Sequence, residues 1–317
     1  MSFPVFDLHC DTALALWYST FSQCGSLRSN NLHVDLNRAG ELSGYAQCFA
    51  CFTSTIESMP EGVTPELIFE KELSGILNQL DINSDLIRLA KSAGDVDLNK
   101  KQGFMSGILT IEGPAGFGFD PAKLERLYHI GFRITTLGWN EKNPLCGSCV
   151  TGGGLTDLGR EYVKEAQRLG MLIDVSHISD EAFWDIMNIT CAPVIATHSN
   201  SRAIHKIPRN LADDMYRAIC QTGGTVGINL YAAFLGDAAD LDRVCDHILH
   251  FLDLASDDTH ISLGGDLDGC DELPIGFQGV QDYNKLAQIL LQRGVPDTTV
   301  RNIFWNNAME VLNKCSM

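Results

Sequence analysis

The chain has 317 residues, 45% of them hydrophobic, which is enough to bury one large core. Forty acidic against 23 basic side chains give a net charge of −17 and a pI near 4.8, a field that repels nucleic acid and anionic membrane surfaces and leaves a small molecule as the expected partner. No apolar run reaches the roughly 18 to 20 residues of a membrane helix and no signal-type segment opens the chain, so the eleven cysteines, an odd number, are expected to be reduced thiols of a cytoplasmic protein.

In chain order, the first strand-like run is Val5 to His9, followed by Cys10 and Asp11. A polar loop, Gly25 to Asn31, precedes a second strand at Tyr45 to Phe52, and Thr53 to Gly62 reads as another loop. A helix is expected over Pro65 to Leu89, then a strand over Phe104 to Glu112, a helix over Pro121 to Ile130 and a strand over Phe132 to Leu137. The Gly-rich loop Cys146 to Gly154 leads into a helix at Thr156 to Leu169, with strands at Leu172 to His177 and Val194 to His198 after it. The remaining elements are a helix at Ala212 to Thr222, a strand at Thr225 to Asn229, a helix at Leu241 to Leu254, a strand at His260 to Gly265 and a helix at Tyr283 to Gln292. Near-continuous apolar strands alternating with helices about eight times predict a parallel sheet covered on both faces. The economical closure is one (β/α)8 barrel, a TIM barrel, spanning residues 1–317 as a single domain, with the polar loops over its C-terminal mouth.

Active sites of such barrels collect at the carboxyl ends of the strands. His9, Glu112, His177 and His198 are expected to close their strands, and Asp266 follows the eighth at once. Residues two apart in a strand share a face, so His9 and Asp11 can aim together into the mouth. His177 and His198 come from neighbouring strands and can converge beside them. Glu112 lies between, where a carboxylate could bridge two cations about 3.5 to 4 Å apart. Imidazole and carboxylate donors suit zinc. One histidine at a strand end is ordinarily a hydrogen-bonded structural residue; five ligand-type residues at barrel strand ends favour a metal centre. His33, His129, His205, His247, His250 and His260 fall in loops, helices or strand starts and read as surface or packing residues. Cys48 and Cys51 would point to opposite faces of one strand, and Cys146 with Cys149 has no second pair at ribbon spacing, so neither makes a zinc ribbon.

The segments Asp7-Leu8-His9-Cys10-Asp11, Ile111-Glu112-Gly113, Arg168 to His177, Ala192 to Asn200, Arg209-Asn210 and Gly264-Gly265-Asp266-Leu267-Asp268-Gly269, in this order, resemble the membrane dipeptidase (renal dipeptidase, peptidase M19) family of the amidohydrolase superfamily nearly end to end. The resemblance implies a zinc-dependent dipeptidase with two Zn2+ per chain: His9 and Asp11 on one, His177 and His198 on the other, Glu112 shared, and a metal-bridging hydroxide as nucleophile. It further implies Asp266 as proton shuttle, with Asp268 the less favoured candidate, Arg209 holding the substrate's free carboxylate, Tyr231 in the substrate pocket, and assembly as a homodimer. Where mammalian-type members carry a substrate-contacting His after the fourth strand, this chain has Trp139, followed by Asn140; an indole N–H donates one hydrogen bond but cannot act as a base. Another metal-dependent hydrolase on the same scaffold, a deaminase, lactonase or phosphoesterase, would keep the metal ligands without needing Arg209.

Overall fold

The computed structural model describes residues 2–18, 25–55 and 62–315. Eight parallel strands form the framework: β1 (Val5–Cys10), β2 (Tyr45–Phe52), β3 (Met105–Glu112), β4 (Phe132–Thr136), β5 (Leu172–Asp174), β6 (Val194–Ile195), β7 (Val226–Ile228) and β8 (Ile261–Leu263). Each pairs with its neighbour in sequence from β1 to β6, and β8 joins β7 to β1. The seam between β6 and β7 closes through a parallel bridge between Ala196 and Val226, with Gly227 N donating to Ala196 O at 2.8 Å. The expected (β/α)8 barrel is therefore formed.

Its lumen is filled, as such barrels require, by Phe6, Leu8, Ala46, Cys48, Ile108, Ile134, Leu172 and Ile195. The same cluster includes Trp305, Val311 and Leu312 from the C-terminal segment, and Trp305 packs its ring 5.8 Å from Phe6. A larger apolar layer lies between the strands and the surrounding helices, with Phe49, Cys51 and Phe132 among its members. Cys48 and Cys51 thus belong to different layers.

Several expected boundaries move. The helix Pro65–Ile82 stops seven residues short of Leu89, because Asn83 Nδ2 turns back onto Gln79 O at 2.8 Å and the chain then adds a short strand, Ile87–Leu89, beside the start of β3. Strands five, six and eight end early, at Asp174, Ile195 and Leu263: His177 and His198 lie three residues beyond their strands rather than closing them, and Asp266 lies three residues beyond the eighth rather than directly after it. Helices at Thr12–Tyr18, Ala93–Lys101, Asp297–Arg301 and Asn307–Lys314 were not anticipated. They are short, and their apolar spacing spans too few turns to stand out. The Gly25 to Asn31 loop contains a two-residue ladder, Gly25–Ser26 against Ser29–Asn30, whereas most of the loop expected at Thr53 to Gly62 lies outside the described residues. Among the described residues no helix is long and apolar enough to cross a membrane.

Candidate metal centre

The centre is set first by an irregularity in β1. Pairing with β2 shifts between Asp7 and Cys10, where β1 carries one extra residue. A bulge of this kind re-aims the following side chain; Phe6 and Leu8 pack in the lumen while His9 turns to the mouth. There His9 Nε2 lies 3.4 Å from Asp11 Oδ2, 3.2 Å from Glu112 Oε2 and 3.9 Å from Asp266 Oδ1. The other oxygen of Glu112 faces the opposite way, with Oε1 3.0 Å from His177 Nε2 and 3.7 Å from His198 Nε2. All five expected ligand residues and Asp266 are buried and gathered at one mouth.

The hydrogen-bond partners of the imidazoles decide which nitrogen is presented. His177 Nδ1–H donates to Asn140 Oδ1 at 3.0 Å. His198 Nδ1–H donates to Thr197 Oγ at 2.7 Å, and that hydroxyl passes its own proton to Asp174 Oδ2 at 2.5 Å. Both rings therefore carry their lone pair on Nε2, and these two atoms are 2.8 Å apart. Two acceptors cannot bond each other, and each such pair is costly unless a cation sits between them. His9 Nε2 and Asp11 Oδ1 are likewise buried without a hydrogen-bond partner. Ligand atoms of His9, Glu112 and His198, and of His9, Asp11 and Asp266, all lie within 4.8 Å of one another. This donor set fits a divalent cation of the zinc type.

Electrostatics agree. Burial, and then the Arg209 guanidinium, lower His177 to about 4, and burial takes His198 well below its usual value, so both imidazoles are neutral and ready to ligate at pH 7. Burial opposes charge on His9, but the carboxylates of Glu112 and Asp11 outweigh it and raise the imidazole well above its ordinary value. Asp11 rises to about 7, through burial and then Glu112. Burial raises Asp266 too.

The two aspartates after β8 have different surroundings. Asp266 Oδ2 accepts from Asn229 Nδ2 at 3.0 Å, leaving Oδ1 toward His9. Asp268 is tied up by the Thr12 hydroxyl at 2.6 Å and by His33 N at 2.5 Å, so its carboxylate holds a turn. That gives His33, read from sequence as an ordinary surface or packing residue, a place beside the site. Gly269 follows because a Cβ there would come within 1.9 Å of Asp11 Oδ2. His177, Asp266 and Asp268 all have positive φ (70°, 56° and 69°), a conformation costing roughly 1–3 kcal/mol each and persisting only where surroundings impose it.

A cleft of about 220 Å³ opens over these groups, lined by Trp139, Asn140, Tyr231 and Phe234 together with Asp11, Glu112 and Asp266. Arg209 lies against its wall, the guanidinium carbon 5.4 Å from the Phe234 ring centre. Its Nη1 donates to Ser199 Oγ and its Nη2 to His198 O, both at 2.8 Å, while Nε is buried without a partner. Trp139 stacks edge-on with Phe52 at 5.1 Å. Asn140 contributes more than a cleft wall, since its carboxamide oxygen is committed to His177.

Sequence reasoning missed the residues behind the candidate ligands. Asp7 takes the N–H groups of His9 and Gly265 at 3.0 and 2.9 Å and the Tyr283 hydroxyl. Asp174 takes Ser176 N and Thr197 N, each at 2.9 Å, besides the Thr197 hydroxyl. The signal was available: an aspartate inside an apolar strand must be hydrogen-bonded to be buried, and each stands two or three residues before a histidine.

A parallel barrel carrying imidazoles and carboxylates at the C-terminal mouth defines a metal-dependent hydrolase. The family model of membrane dipeptidases, peptidase family M19, matches residues 1–316, and the chain belongs to that family: it is a metal-dependent dipeptidase. An uncharacterized dipeptidase of Schizosaccharomyces pombe is 30% identical over 302 residues, covering 93% of this chain and 68% of its own length. Among solved structures, a metallopeptidase from Rhodobacter sphaeroides bound to a phosphinate mimic of the dipeptide L-Ala-D-Ala has a TM-score of 0.90 at 25% identity over 99% of this chain and 100% of that one. The metallopeptidase dipeptidase AC gives a TM-score of 0.90 at 26% identity over 99% of each chain.

Proposed function

We propose that the chain hydrolyses dipeptides with two zinc ions, His9 and Asp11 holding one, His177 and His198 the other, and Glu112 both. The observation that carries this reading is the division of Glu112: one oxygen is 3.2 Å from His9 Nε2 and the other 3.0 Å from His177 Nε2, the disposition a bridging carboxylate needs. When bound, a pair of divalent cations supplies Lewis acidity to the scissile carbonyl and lowers the pKa of water from about 15.7 toward about 7.

The chain's own groups do the rest. Asp266 Oδ1, freed by the Asn229 bond to Oδ2, takes the proton of the attacking water and returns it to the nitrogen of the leaving amine. Arg209, with an unspent Nε and a guanidinium already oriented by Ser199 and His198, binds the substrate's free carboxylate; two parallel hydrogen bonds both orient and select. Trp139, Asn140 and Tyr231 line the space for the substrate. The cleft lies below the roughly 300 to 1,000 Å³ of drug-sized sites, which suits a dipeptide. A relative of the same fold holds a dipeptide mimic, which supports this choice. The reading treats the chain as one catalytic domain acting in the cytoplasm, where its thiols stay reduced.

The test is a panel of L,L and L,D dipeptides, with free or amidated carboxyl ends, assayed on protein of measured metal content. Turnover limited to free-carboxyl dipeptides, and a KM for them raised at least tenfold by Arg209→Ala, is the expected result. Equal turnover of amidated substrates, or unchanged kinetics in Arg209→Ala, would assign the site to another metal-dependent hydrolysis.

A further inference from the structure

The loop Cys146 to Gly154 carries a Cys-x-x-Cys spacing that the metal centre leaves unused. Burial raises the Cys146 thiol to about 12 and moves Cys149 in the same direction, so neither is disposed toward metal binding or redox chemistry. The backbone and hydroxyls of this loop are engaged instead. Cys149 N donates to His177 O at 2.7 Å, Ser148 pairs with Ile178 as an antiparallel bridge, and Ser179 N donates to Gly147 O at 3.1 Å. Ser148 Oγ donates to Asn140 O at 2.9 Å, and Asn140 Oδ1 accepts from His177 Nδ1 at 3.0 Å. One stretch of chain therefore grips His177 by its carbonyl, by its two following residues and by its ring. The Trp139 ring centre lies 6.3 Å from that ring. The residue so gripped is the one non-glycine ligand held at φ 70°, where local preference opposes the conformation and surrounding contacts must impose it.

We propose that the segment 139–149 is a brace whose work is to hold His177 with Nε2 facing Glu112 and His198, and that Asn140 is its principal positioning residue, with Ser148 acting through Asn140. This rests on the reading that His177 ligates a metal ion. A ring without a partner for Nδ1–H rotates more freely and loses the preference for the Nε2 lone pair, and removing such a partner typically costs about 10- to 100-fold in metal affinity. If Asn140 served the substrate alone, its loss would raise KM and leave metal binding untouched.

The deciding experiment is zinc titration of the metal-free chain against a competing chelator, for the wild-type, Asn140→Leu, Asn140→Asp and Ser148→Ala, with thermal unfolding of each metal-free form recorded. The brace predicts two sites in the wild-type, one of them weakened about 10- to 100-fold by Asn140→Leu and the other unchanged. Asn140→Asp, which keeps the acceptor oxygen, should restore affinity to within a few-fold. Ser148→Ala should weaken the same site by less, which keeps the test decisive if Asn140→Leu folds poorly. Wild-type affinity at both sites in Asn140→Leu, or equal losses in Leu and Asp variants, overturns the brace alone. A wild-type chain that takes up no zinc overturns the metal reading and the brace together.

Discussion

On the proposed reading, Asp266 is the residue whose chemistry separates binding from turnover. Asp266→Asn keeps the hydrogen-bonding shape beside Asn229 but removes the base, so kcat should fall by about 10²- to 10⁴-fold with metal content unchanged; steady-state rates and metal analysis on one preparation check both. His247 makes a second residue-scale case, outside the candidate metal-ligand set. It is fully buried, its Nδ1 accepting from Ser201 N and its Nε2–H donating to Leu235 O, each at 3.0 Å, and burial lowers it to about 4. The unfolded chain binds a proton near pH 6.5, well before the folded one, so stability is complete above that pH and is lost on acidification toward about 4. The loss approaches ~3 kcal/mol. Urea unfolding at pH 7 and pH 4.5 should show a smaller drop in His247→Gln than in the wild-type, and equal drops would refute the assignment.

At the scale of elements, His9 and Glu112 were legible because β1 and β3 run to the mouth as long apolar strands. His177, His198 and Asp266 were legible as residue types, but the first two were misplaced as strand ends and the third as the residue directly after a strand, because local side chains take over from the ladder there. Asp174, for example, receives the N–H groups of Ser176 and Thr197. That replacement lets the chain leave the sheet and turn a ligand inward, and no apolar periodicity records it. The helix drawn through Leu89 failed for a similar reason: Asn83 ends it by a side-chain bond that competes with the next turn. The C-terminal helix Asn307–Lys314 was invisible as a short amphipathic piece, yet Leu312 closes the lumen with Val311 and Trp305. Leu312→Ala should lower unfolding free energy by about 2–5 kcal/mol while kcat/KM per folded molecule stays within twofold. A large fall in kcat/KM at full folding would mean that the bottom of the barrel is coupled to its mouth.

For the whole molecule, the barrel places candidate ligand donors from β1, β3 and the segments after β5 and β6 around one point, although they are separated by up to 189 residues of sequence between His9 and His198. Strand order and closure fix their distances; the net charge of −17 favours cations there and discourages polyanions. The most direct test is a crystal grown with excess zinc and measured at the zinc absorption edge. Two anomalous peaks flanking Glu112, about 3.5–4 Å apart, one within ligand distance of His9 and Asp11 and the other of His177 and His198, are predicted. A single peak, or peaks elsewhere with Glu112 touching neither, would contradict the account.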